Sequence, residues 1–101
     1  MPKLYEYLGL DVFFYSNEHQ PLHVHGKYQG REGRAELRIV EGRVVGIDLM
    51  PQPGRPPMKR GEMQQFRALV EAKADDIVQK WVDYFVLHKS VSSEKITKAL
   101  P

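Results

Sequence analysis

Four prolines fall within seven residues at Pro51-Gln52-Pro53-Gly54-Arg55-Pro56-Pro57, and such a stretch can be neither helix nor central strand. It divides the chain in two. Before it, apolar residues recur at period two; after it, they recur at helical spacing. The stretch itself is expected to be an extended crossing loop.

In the first half, residues 4–16 are rich in aromatic and β-branched side chains and predict one strand, with Leu8, Leu10, Val12 and Phe14 on one face. Asn17-Glu18-His19-Gln20-Pro21 then breaks the run, because Asn and Pro favour turns. A second strand is predicted over residues 22–28, closed by the glycines of Gln29-Gly30-Arg31-Glu32-Gly33. A third covers residues 34–40, placing Ala35, Leu37 and Ile39 inward and Arg34, Glu36 and Arg38 outward. Glu41-Gly42 reads as a tight hairpin turn. Residues 43–50 return with Val45, Ile47 and Leu49 inward. Connections this short imply an antiparallel meander.

Beyond the proline stretch, Met63, Phe66, Leu69 and Val70 share one stripe of a helix near residues 61–73. Asp75 or Asp76 is placed to cap a second helix, with Ile77, Val78, Trp81, Val82 and Phe85 as its buried stripe. No strong breaker separates the two, so one bent helix fits the pattern as well. Ser90-Val91-Ser92-Ser93 is loop-like, and residues 94–100 fit either a last strand or a short helix. The fold class is therefore α+β: a small antiparallel sheet of three to five strands with two C-terminal helices packed on one face. A chain of 101 residues is expected to form one domain: strand-rich over 1–50, a loop over 51–57, helical over 59–88, and a tail over 89–101.

Composition narrows the chemistry. The chain has no cysteine, which excludes disulfides, a cysteine nucleophile and thiolate metal sites. No apolar run is long enough for a membrane span, and a cytoplasmic location is expected. Net charge is only +2, but residues 20–60 carry eight basic side chains against four acidic ones. Lys27, Arg31, Arg34 and Arg38 from that stretch are candidates to bind an anion such as phosphate. Ordinary ion pairs on a solvated sheet face would explain the same charges.

Three of the four histidines fall within seven residues: His19, His23 and His25. On a strand, His23 and His25 project from the same face, while His19 sits on the preceding turn. Three imidazoles that converge could hold one divalent transition metal, zinc, iron or nickel, with Glu18 as a further ligand. They could equally pass protons, because imidazole titrates near neutral pH. They could also simply pack, hydrogen-bonded and inert, against Tyr15 or Tyr28. His88 is expected to face the carbonyl end of the second helix. HExxH, P-loop, dinucleotide-glycine and GxSxG patterns are all missing from the sequence.

The run Tyr15-Ser16-Asn17-Glu18-His19-Gln20-Pro21-Leu22-His23-Val24-His25 resembles the signature of domain-of-unknown-function family 4160, in which an aromatic precedes an acidic residue and His, a proline turn and His-x-His. The family's histidine positions fall on His19, His23 and His25 and its acidic position on Glu18. The resemblance implies a small bacterial protein, often encoded beside a small partner in toxin–antitoxin-like gene pairs, with no established activity. The leading expectation is a component of such a module, acting on RNA or another phosphate-bearing substrate through His19, His23 and His25. The alternatives are a non-catalytic module that binds a small cognate partner protein, and a His-ligated metal-dependent hydrolase or oxygenase.

Overall fold

The structure, a computed structural model, describes residues 2–15 and 22–100. Strands β1 (Lys3–Tyr7), β2 (Leu10–Phe13), β3 (His23–Tyr28), β4 (Arg31–Val40), β5 (Arg43–Pro51) and β6 (Glu94–Ile96) make one sheet in the order β5-β4-β3-β2-β1-β6. Helices α1 (Arg60–Ala72) and α2 (Ala74–Trp81) follow the proline loop. The α+β class holds, but the sheet has six strands rather than three to five. It is also mixed, because β6 runs parallel to β1 while the other pairs are antiparallel.

The extra strand at the start comes from a turn that the apolar pattern concealed. Leu8 and Gly9 have φ of 48° and 91°, so the expected single strand folds back as the β1–β2 hairpin. The same pair of positive φ angles recurs at Gln29-Gly30 and at Glu41-Gly42. Each is a two-residue turn whose twist matches the flanking strands, with glycine at the second position. Leu8 consequently lies exposed in its turn, while Leu10, Val12 and Phe14 are buried as expected.

Two further inward assignments, Ile39 and Val45, fail at the far end of the sheet. Arg38 pairs with Gly46 and Ile39 with Val44, so Val45 is an extra residue bulged out of β5. A bulge of one residue exchanges the faces of everything beyond it. Val44 turns inward in place of Val45, and Ile39, Val40 and Val45 are exposed at the hairpin tip.

The helices pack on one face through a notch in the sheet. Gly26 and Gly33 stand directly opposite each other on β3 and β4. A Cβ on Gly26 would meet the Phe66 ring at 2.9 Å, and one on Gly33 would meet Met58 and Met63 as closely. Two residues without side chains thus admit α1 against the backbone. Phe66, Leu69 and Val70 fill the centre with Tyr5, Val12, Val24, Ala35 and Leu37. Burial of this continuous apolar cluster is the main stabilising term of so small a protein.

The two helices meet at Lys73 with their hydrogen bonding unbroken: its amide reaches Leu69, and its carbonyl accepts from Ile77. Lys73, rather than Asp75 or Asp76, occupies the capping position of α2. After Trp81 the helix widens into a π-helical turn over Val82–Val86. His88, just beyond, is exposed with φ of 54°. The tail returns to the sheet as β6, and the Leu100 amide donates to the Tyr7 hydroxyl at 2.7 Å. No helix among the described residues is long and apolar enough to cross a membrane.

Candidate functional site

Alternation along β3 sends Val24 and Gly26 toward the helices, and His23, His25 and Lys27 toward the opposite face of the sheet. Register then fixes their neighbours. His25 lies across from Phe13 on β2 and Arg34 on β4, His23 across from Glu36, and Lys27 across from Asp11 and Glu32.

The two histidines share a compact aromatic cluster. Their ring centroids are 5.1 Å apart. Tyr15 meets the His25 ring edge-on at 4.2 Å, and Phe13 stacks on it at 5.7 Å. His25 is 0% exposed and His23 only 7%, so these rings belong to the protein interior although the helices lie on the other side.

A carboxylate that no sequence motif marks completes the cluster. Glu32, 3% exposed, accepts a hydrogen bond from the Tyr15 hydroxyl at 2.7 Å and approaches His25 Nδ1 at 3.5 Å. Arg55, from the proline loop, brings its Nε to 3.9 Å from the same carboxylate. The loop is held there because the Glu32 amide donates to the Pro56 carbonyl at 2.9 Å. Burial, reinforced by the bond to Glu32, pushes the Tyr15 phenol above its ordinary pKa. The one signal of Glu32 in the sequence is its place two residues beyond the Gln29-Gly30 turn, which puts it diagonally across from His25 on the same face.

Tyr15 and Glu32 open onto a cavity of about 250 Å³ lined also by Lys3, Asp11, Phe13, Lys27 and Arg55. Three cations therefore rim it. Lys3 is already engaged with Glu6 at 2.8 Å and Asp11 at 3.6 Å.

The other expected anion-binding residues do not gather there. Arg31 faces the helices, its Nε donating to Glu62 of α1 at 2.9 Å. Arg34 lies beside Glu36 and Met50, and Arg38 pairs with Asp48 at 3.0 Å near the hairpin tip. Of the four, only Lys27 lines the cavity. The expected ligands Glu18 and His19 lie outside the described residues, as does the turn around them. Among the described residues, no group of three or more His, Asp and Glu side chains could hold a metal ion.

On a second side of the molecule, Tyr5 is fully buried and donates to Asp76 of α2, while Lys80 lies 4.3 Å above the Tyr5 ring and 3.2 Å from Asp76. Burial first, then the bond to Asp76, pushes the Tyr5 phenol up. Burial opposes ionisation of Asp76, but Tyr5 and Lys80 together hold its carboxyl below the usual range. These three groups satisfy one another and pin α2 to β1.

The arrangement defines a small α+β protein whose sheet carries, on the face opposite the helices, a buried cluster of two histidines, a glutamate and a tyrosine. The chain belongs to DUF4160, a domain of unknown function, whose family model matches residues 9–82. The match takes in Phe13, Tyr15, His23, His25, Lys27, Glu32 and Arg55, and leaves β1 and β6 outside it. No curated protein and no solved structure matches the chain.

Proposed function

We propose that the chain handles a phosphate-bearing substrate, RNA in the first instance, by proton transfer through the Tyr15–Glu32–His25 cluster. The observation that carries this reading is the buried Glu32 carboxylate, which touches Tyr15, faces His25 and forms part of a cavity rimmed by cations. A carboxylate beside an imidazole fixes the ring's orientation and stabilises its protonated form. His25 and His23 then supply two imidazoles that can take up or release a proton, with His19 as a third. Lys27, Arg55 and Lys3 would hold the phosphate. In RNA the 2′-hydroxyl gives its proton to the base and attacks phosphorus. The bond to the 5′-oxygen breaks, and that oxygen takes a proton from the acid. A role as the acting member of a toxin–antitoxin-type pair is compatible with this chemistry.

The test is cleavage of a single-stranded RNA beside its 2′-deoxy counterpart. Wild-type protein should cut the RNA alone, and Glu32→Gln and His23→Ala should each reduce the rate about 100-fold or more while remaining folded. No cleavage by wild type, or full activity in Glu32→Gln, overturns the proposal.

Complete burial of His25 between Phe13 and Tyr15 favours a second reading, a non-catalytic partner-binding module with structural histidines. That reading expects His25→Ala to lose about 2 kcal/mol or more of stability in a protein without nuclease activity.

A further inference from the structure

The free edge of β5 carries an arrangement that the proposed chemistry does not use. Strand β5 ends the sheet on one side, and no described strand pairs with its outer edge. An edge of this kind presents unpaired backbone donors and acceptors, a template for another strand. The bulge at Val45 interrupts the edge at one end and leaves the segment from Gly46 onward regular. Val45, 57% exposed, and the neighbouring Ile39 and Val40 add an apolar patch beside it.

Charge selects the partner. Arg38 pairs with Gly46 across β4 and β5, and its guanidinium leans over that glycine: a side chain there would collide with it. The head group therefore sits above the edge strand itself, 3.0 Å from Asp48 and largely exposed. We propose that β5 pairs antiparallel with β5 of a second copy of this chain, in the two-fold register centred on Ile47. That register sets Gly46 opposite Asp48 of the other copy, and Ile47 opposite the same residue of that copy. Side chains directly opposite in an antiparallel pair have Cβ atoms about 5 Å apart. Each Arg38 would then lie between two aspartates, its own and that of the second copy, and the two-fold axis makes this pairing twice. Centred one residue later, the same strands would place Asp48 against Asp48 and lose the ion pairs. A contact of one short strand and a small apolar patch falls at the low end of interface size, so the association is weak and depends on concentration.

Sedimentation velocity over a concentration series tests this on the full chain. Wild type should shift from the mass of one chain toward that of two. Asp48→Lys should remain at one chain, with an unchanged circular dichroism spectrum showing that it is folded. Arg38→Glu/Asp48→Lys restores both ion pairs and should dimerise again, yet should not form mixed dimers with wild type, where like charges would meet. A wild type that stays at one chain throughout, or pairs its edge only with a different protein, overturns the proposal. So does an Asp48→Lys variant that dimerises as wild type does.

Discussion

Arg31 and Glu32 are neighbours on β4, yet they face opposite sides of the sheet and lead different lives. Arg31 reaches Glu62 across the helix face, in a pair that is partly open to solvent. Glu32 turns to the other face and is almost sealed off with Tyr15 and His25. Both are contacts between a carboxylate and a nitrogen base. Water separates them energetically: screening and side-chain entropy offset most of what a solvent-accessible pair gains, whereas a buried carboxylate needs every partner it has. The first contact clips α1 to the sheet, and the second forms the floor of a cavity.

Three substitutions would break or sharpen this contrast. Glu32→Ala should have the largest effect, because it removes the acceptor of a buried hydroxyl and empties part of the interior. We expect a loss of about 2–4 kcal/mol in chemical denaturation, and a loss below 1 kcal/mol would mean that the site is wetter than its burial implies. Tyr15→Phe removes one hydrogen bond and keeps the ring against His25. It should cost about 1 kcal/mol, read from the shift in denaturation midpoint at constant slope.

Arg31→Ala should be mildest at neutral pH, and its signature lies in acid. Arg31 first, helped by the Lys59 amide at 2.8 Å, holds the Glu62 carboxyl down to about 2. A carboxyl depressed in the folded state contributes stability above its unfolded pKa, and that contribution fades as pH falls from about 4.5 toward 2. The variant should lose part of that acid dependence when its melting temperature is followed across this interval. An unchanged profile would assign the depression to the helix terminus instead of to Arg31.

Much of the frame was legible in the sequence. The proline stretch separated strands from helices, and the apolar stripe of α1 gave its buried side because helical spacing is local and strong. The Gln29-Gly30 and Glu41-Gly42 turns announced themselves by glycine. The Leu8-Gly9 turn did not, since Leu8 also fits the alternation of a continuous strand. The Val45 bulge was equally hidden: nothing in a Val-Val-Gly run says which residue the neighbouring strand will skip.

For the site, alternation correctly set His23 and His25 side by side. It could not bring in Glu32 or Arg55, which arrive from a hairpin partner and from a loop. The charge surplus over residues 20–60 put Arg31, Arg34 and Arg38 together as anion-binding candidates, whereas the strand separates them by face and by distance. Local periodicity, turn chemistry and the absence of cysteine were thus fixed by the amino-acid order alone, because each depends on residues a few positions apart. Register, the parallel return of β6 and the burial of Glu32 against His25 were decided only by the tertiary structure, because they depend on which strands meet and on how much water remains between them.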